Sequence, residues 1–300
     1  MPSRYIEDQF SKIIGTKGIP LMVSMGQLKG FSSIDKFGEN PDIDTGSTPE
    51  DIWEGGGLYN WDDFGTAPIV SLISDDADDA GKVIEVSGLD INGFNVVQEV
   101  ELDGTNRVIL QTPLWRVYRM QNMASTNLEG MVYCYVGTGG IPSTANTRAI
   151  IDNGNNQTLM ALYTIPLGYV GFLVRGELGV SRNQTNGNAR CAYYSRRCGK
   201  AFTIKKRVDL VNQGSSIYQD ARSFPDVIPA LTDIRLAVES VSANNMGVFG
   251  TFDIMLVEEN YLSDEFLQAI GQCVYSAPVE FNVVYDGDNV VYGTDNVIVA

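Results

Sequence analysis

The chain has no histidine in its 300 residues. Imidazole is the side chain that titrates near neutrality without help. Serine or cysteine nucleophiles activated by it, His general bases and zincin sites are therefore excluded together. Carboxylate chemistry is what remains open. Cysteine is scarce as well: Cys134, Cys191, Cys198 and Cys273 are the only four, too few to staple a chain of this length. They form no CxxC pair, and with no histidine to complete a tetrahedral set a zinc site is not expected, whereas buried reduced thiols are. No apolar run approaches the roughly 20 residues that cross a bilayer. The opening MPSRYIEDQF mixes both charge signs and lacks an apolar stretch, so neither a membrane partner nor a secretory leader is expected and synthesis falls to a cytoplasm. Positive charge is also in short supply. Twenty-one Lys and Arg stand against 37 Asp and Glu, a formal net charge of -16, which disfavours a phosphate backbone and makes nucleic acid an unexpected partner.

What is present is a hydrophobic content of 44%, enough for one large or two ordinary domains. From Ser3 to Ile14 the residues Ile6, Phe10, Ile13 and Ile14 recur at helical spacing, with Ser3 as N-cap and Gly15 as stop. Nothing between Thr16 and Phe64 sustains a period for long, and KFGENPDIDTGSTPEDIWEGGGLYNW, Lys36 to Trp61, fits neither a helix nor a strand. Structureless stretches of that length are uncommon inside a domain, so residues 1–62 are expected to form a short helix and an extended arm ordered by contact with a neighbour or with the chain's own domain. Phe37, Trp53, Tyr59 and Trp61 would anchor it, and Gly55, Gly56 and Gly57 would let its backbone follow another surface. The competing expectation is an arm folded back to cover a sheet edge.

From about Thr66 the texture changes to short β-type runs. IVSLI, KVIEVSG, FNVVQEVEL and RVIL, joined by Asp, Asn and Gly, predict a small antiparallel domain over residues 63–122. A second series follows: MVYCYVG, TLMALYTI, YVGFLVRGELGV, ARCAYY, KAFTIKKRVDLV, DIRLAVESV and VFGTFDIMLVEE. With no helix-length pattern between them, these predict a larger sandwich or jelly-roll-like domain over residues 123–260. The fold class is thus all-β, two antiparallel sandwich or jelly-roll-like domains with an extended N-terminal arm and short terminal helices. SDEFLQAIGQ, from Ser263 to Gln272, carries the start and stop signals of a short helix. VVYDGDN from Val283 and VVYGTDN from Val290 then repeat one pattern. Two copies are too few for a solenoid; they predict a hairpin turning at Asp286 to Asn289, or a strand donated to another subunit.

Three constellations carry charge. Asp75, Asp76, Asp78 and Asp79 invite a calcium reading, but with Asp76 and Asp78 at loop positions one and three, Ala80 falls at five and Ser87 at twelve, where a bidentate glutamate belongs. A solvated acidic turn is expected instead, and no metal. Asp42, Asp44, Glu50 and Asp51 could pair as glycosidase carboxylates, yet an unanchored loop lacks the rigidity for acid-base work, so no catalytic residue is assigned. Between Glu177 and Asp209 there is no acid, while Arg182, Arg190, Arg196, Arg197, Lys200, Lys205, Lys206 and Arg207 all fall there. In so acidic a chain this basic hairpin is a candidate face for a like subunit or an acidic partner, the alternative being a strand face with solvated charges.

Four blocks in order resemble a family of virion structural proteins of tailed bacteriophages: KFGENPDID from Lys36 to Asp44, PEDIWEGGGLY from Pro49 to Tyr59, VIEVSGLDINGF from Val83 to Phe94 with the following VELDG, and ALYTIPLGYVGFL from Ala161 to Leu173. The resemblance spans about residues 30–260. It implies a particle component made in the infected bacterium and carried on the virion, with no catalytic residue and no cofactor to transfer. On that footing the expected role is a capsid-attached decoration, cement or head-fibre protein, a homo-oligomer and by class a trimer, whose partners are the major capsid protein or other virion proteins. The alternatives are a neck or tail component presenting a receptor-binding fibre, and a carbohydrate-active tail enzyme using carboxylates such as Asp42 or Glu50.

Overall fold

A computed structural model describes residues 18–65, 69–182, 187–211, 217–271, 282–286 and 289–293. The expected helix from Ser3 to Ile14 and Cys273 lie outside them. A short helix, α1 (Gly18–Ser24), precedes the first strand. That strand, β1 (Phe31–Ile43), occupies much of the stretch expected to be an unstructured arm, and it pairs antiparallel with β15 (Met246–Glu258) from Phe31↔Val257 to Ile43↔Met246. The pairing explains why β1 gave no period. On β15 every second residue, Met246, Val248, Phe252, Ile254 and Leu256, is buried and apolar. On β1 the buried positions that face them are Lys36, Gly38 and Asn40, and Pro41 sits in the bulge between Asn40 and Ile43. A polar, small inward face leaves no hydrophobic alternation to read.

The larger unit is a sandwich of two antiparallel sheets. One runs β1-β15-β10-β13, with β10 (Tyr169–Arg182) and β13 (Ile217–Ile228). The other runs β12-β11-β14-β2, with β2 (Glu50–Asp51), β11 (Asn188–Arg196), β12 (Thr203–Val211) and β14 (Asp233–Val241). Taken as first to eighth along the chain, β1, β2, β10, β11, β12, β13, β14 and β15 fall 1-8-3-6 in one sheet and 2-7-4-5 in the other. That order is a jelly roll. Its core joins Ile52, Tyr163, Leu178, Cys191, Ile234, Val238, Phe252 and Ile254.

The smaller unit is inserted between the second and third strands of the roll. It is one antiparallel sheet, β5-β4-β6-β3-β7-β8, built from β3 (Ile69–Ser74), β4 (Val83–Asp90), β5 (Asn95–Glu101), β6 (Val108–Asn122), β7 (Val132–Tyr135) and β8 (Thr147–Ile151). Leu72, Ile84, Leu110, Leu114, Val132 and Ile151 fill its core together with Trp53 and Tyr59. Two expected boundaries therefore move. Residues 31–52 belong to the roll, and the small unit runs on to Ile151 where a boundary at 122 was expected, because β7 pairs β3 and β8 pairs β7. The chain rejoins the roll at β9 (Leu162–Thr164), which pairs with β14 beside β2.

Local signals at the C-terminus are realised as written. The helix α2 (Asp264–Ile270) has the Ser263 hydroxyl accepting from the Phe266 amide at 3.3 Å, and Gly271 closes it at φ 61°. Strands β16 (Asn282–Asp286) and β17 (Asn289–Gly293) form a hairpin within the chain, with Asp286 opposite Asn289.

Candidate functional site

Some of the residues singled out from sequence, Glu50, Asp51, Trp53, Tyr59, Trp61 and Arg196, gather at the joint between the roll and the inserted sheet. Glu50 and Asp51 are both buried there. The Glu50 carboxylate accepts from Asn40 Nδ2 and from the Gly57 amide, each at 2.8 Å, and from the Ser47 hydroxyl. Asp51 pairs with Arg235 at 2.8 Å and accepts from the Tyr59 amide at 2.8 Å. Burial pushes the Asp51 carboxyl up to about 6 against the pull of Arg235 and the Tyr59 amide. The triple glycine has two separate causes. A side chain at Gly55 would overlap the Trp53 ring, while Gly56 and Gly57 turn the chain at φ 64° and 63°, a region unfavourable to other residues. The segment is a tight turn tied to its own carboxylates.

The arm aromatics are consequently internal. Trp53 and Tyr59 are 2% and 5% exposed and meet edge to face at 5.3 Å; Tyr59 meets Trp61 at 4.9 Å, and Trp61 lies 5.5 Å from Phe202 of the basic hairpin. Guanidinium groups interleave with these rings. Arg116 lies 4.0 Å from the Trp115 centroid and 5.1 Å from that of Trp61; Arg196 lies 4.7 Å and Arg235 4.5 Å from that of Phe202. One carboxylate gathers them: buried Asp233 accepts from Arg116 Nε and Nη2 at 3.3 Å, from Arg196 Nε at 2.9 Å and from the Thr164 hydroxyl at 2.6 Å. The partner-anchor expectation is corrected for Trp53 and Tyr59, which spend their area inside this chain, while Trp61 is half-buried against Tyr59 and Phe202. Phe37 alone of that set is exposed, at 38%, on the outer face of the first sheet near Phe249 and above a groove that Ile34 and Met255 also line.

Two further groups hold the joint. Lys36 is buried without a carboxylate partner among the described residues; its Nζ donates to the Tyr118 carbonyl, and Tyr118 is the extra residue of a bulge in β6 between Arg119 and Val117. Burial first, then Arg119, lowers the Lys36 pKa to about 7. Glu54 accepts from Asn155 Nδ2 at 2.6 Å and from the Leu159 amide at 3.1 Å, and burial raises it to about 7. Apolar contact completes the joint: Leu89 and Trp115 of the inserted sheet pack on Ala230 and Leu231 of the roll.

The basic hairpin divides into paired and unpaired cations. Arg190 pairs with Asp209 at 2.7 Å, Lys206 with Asp220 at 2.8 Å, Arg207 with Glu239 and Arg196 with Asp233. Arg197 donates to the Gly271 carbonyl at 3.3 Å. Lys200 and Lys205 have no ion-pair partner among the described residues, and the Arg182 side chain lies outside them. The sequence made the run look unopposed because Glu239 and Asp220 arrive from strands far along the chain.

The acidic turn is also used internally. Asp79 is fully buried and accepts from Ser74 Oγ at 2.6 Å, Lys82 Nζ at 2.8 Å and the amides of Glu129 at 2.8 Å and Gly130 at 3.2 Å. Burial pushes its carboxyl up, but these donors together outweigh that and hold it below the ordinary carboxylate value. Asp75 accepts from the Met131 amide at 2.7 Å, so the turn clamps the loop before β7. No cluster of three or more metal-ligating side chains occurs among the described residues. Cys134 and Cys191 are free, buried thiols, each pushed up to about 12 by burial, and Cys198 is half-buried and outside any disulfide among the described residues. No helix among the described residues is long and apolar enough to cross a membrane.

No protein-family model matches the chain, and no curated protein matches it either. Among solved structures it is similar to the infectious bursal disease virus VP2 subviral particle, at 11% identity over 81% of this chain and 78% of that one, with a TM-score of 0.22. A second likeness, to infectious bursal disease virus of the Gt strain, has 12% identity over 78% and 74% with a TM-score of 0.20. At such scores the likeness says nothing about what this chain does.

Lys36, Arg116 and Asp233 were missed as site residues. Nothing local distinguishes them, since each is a charged residue in a strand whose burial depends on the partner sheet.

Proposed function

We propose that this chain is a non-enzymatic structural subunit of a tailed-phage virion, attached to the capsid as a decoration, cement or head-fibre protein. One observation supports the reading above others: the four sequence blocks that resemble phage virion proteins meet at the joint. Gly38 of the first block backs directly onto Ala161 of the fourth and Ile52 of the second. The Ala161 amide donates to the Ile52 carbonyl at 2.9 Å, and the Leu167 amide of the fourth block donates to the Gly93 carbonyl of the third at 2.8 Å. The four blocks thus lie on both units and touch one another where the units join. Jelly rolls are widespread among capsid proteins, which agrees with the reading but does not by itself assign a function.

The role of the arm changes with the geometry. Docking on a capsid cannot use the buried Trp53 or Tyr59, and Trp61 is half-buried, so it falls to exposed surface such as that around Phe37. The test is the number of copies in purified particles, measured by quantitative mass spectrometry against the major capsid protein. Copies in the hundreds are expected for a lattice component, whereas about a dozen or fewer would move the chain to a unique vertex, the neck or the tail. Absence from purified particles would overturn the virion reading altogether.

A further inference from the structure

Lys200 and Lys205, which have no ion-pair partner among the described residues, gather at one place with Arg197, which donates to the Gly271 carbonyl. Between the β11–β12 hairpin and the β13–β14 turn lies an open groove of about 630 Å³. Arg197, Lys200 and Lys205 line it, all exposed on a chain of net charge -16. Asp226 stands among them on β13. Thr232, 1% exposed, also lines the groove, and its buried hydroxyl has no hydrogen-bond partner among the described residues. Buried hydroxyls are nearly always satisfied, so one left without a partner in the wall of a groove marks a place that a ligand can complete. The remaining lining includes apolar surface from Val227 and Pro229.

We propose that this groove binds an acidic saccharide of the uronate type. Each part of the lining has a counterpart in that chemistry. Sugar carboxylates meet Arg197, Lys200 and Lys205 as charge-assisted acceptors. Sugar hydroxyls bond with Thr232, and the C–H faces of the rings lie against Val227 and Pro229. A phosphate polymer fits less well, because the net charge repels it and, among the described residues, the aromatic ring lining the groove is that of Tyr193, 6% exposed and without a stacking face. A neutral sugar leaves three cations unanswered. The volume is that of an ordinary small-ligand site. The inference does not depend on where on a particle the chain sits.

The experiment is isothermal titration calorimetry of the full-length protein with a tetramer of galacturonic acid, run beside maltotetraose, inorganic phosphate and a tetraglutamate peptide. The acidic tetramer is expected to bind with a Kd on the order of 1 mM or tighter, with the other three much weaker. Lys200→Ala combined with Lys205→Ala, both at exposed positions, is expected to weaken binding about tenfold. Thr232→Val keeps the side-chain shape and is expected to weaken binding severalfold, while Arg190→Ala, outside the groove, leaves it unchanged. No heat with the acidic tetramer overturns the proposal, as does equal binding of maltotetraose. Equal binding of phosphate would make the groove a general anion site, equal binding of tetraglutamate a peptide site, and either result overturns the saccharide assignment. Loss of binding in Arg190→Ala to the same degree as in the lysine variant would overturn the location.

Discussion

The inserted sheet is held by apolar packing, whereas the joint that carries it sets buried polar bonds beside a small apolar contact. Inside the sheet Leu72, Ile84, Leu110 and Leu114 meet one another, and the attraction is non-directional. At the joint Asp233 collects Arg116 and Arg196, Lys36 plugs a bulge carbonyl, and Glu54 ties Leu159 and Asn155. A core of the first kind accepts hydrophobic exchanges of similar volume, whereas a buried polar joint accepts few, since each partner removed leaves another unsatisfied. The contrast suggests that apolar packing stabilises each unit and polar bonding sets the orientation between them.

The largest effect that would test this contrast is expected from Asp233→Ala. It leaves Arg116, 3% exposed, buried without its carboxylate, and should cost about 3–5 kcal/mol in urea unfolding. A Leu72→Met exchange in the sheet should cost less than about 1.5 kcal/mol. Comparable costs for the two would break the comparison. Next comes Gly38→Ala, whose new methyl would lie 2.6 Å from the Ile52 carbonyl oxygen and against the Ala161 amide. Backbone on both sides cannot give way, so a loss of about 1–3 kcal/mol is expected, with the separation of the units altered in small-angle scattering.

The pH dependence is smaller and has two limbs. Glu54, raised to about 7 from 4.5, holds its proton in the native state while the unfolded chain has released it, so its contribution makes stability fall as pH rises from about 4.5 to 7. Lys36, lowered to about 7 from 10.5, is neutral in the native state while the unfolded chain is still protonated, so stability rises with pH from about 7 to 10.5. Thermal midpoints across pH should therefore pass through a trough near neutrality, with Glu54→Gln flattening the acid limb and Lys36→Met the alkaline one. Midpoints that do not respond to either variant would remove both groups from the account. The smallest effect is expected from Arg190→Ala. Its pair with Asp209 is exposed on both sides, and unfolding should show no measurable change.

Legibility in the sequence followed locality. The helix from Asp264 to Ile270 and the hairpin turning after Asp286 were readable because Ser263, Gly271 and the repeated Val-Val-Tyr act on their own neighbours. Strands such as β14 and β15 were readable from their alternation. Strand β1 was not, because Lys36, Gly38 and Asn40 face inward where apolar residues would have shown a period. Strand β13 was missed too. β7 was recognised as a strand but assigned to the wrong unit, since sheet membership depends on its pairing with β3 and not on its own residues. Trp53 and the glycines after it were singled out for the right reason, high cost of exposure, and given the wrong neighbour: the surface they fit is this chain's own.

The chain leaves the roll at Ile52 and comes back at Ala161, and those two residues are hydrogen-bonded to each other while Trp53 bridges Met160. To the roll, everything between them is one loop whose ends are already tied, and the entropy of closing a loop grows only slowly with its length. The roll is thus a stem with a socket. A lineage could exchange the passenger domain for another of different size without redrawing a single strand of the stem, provided the newcomer offers a carbonyl to Lys36 and a cation to Asp233.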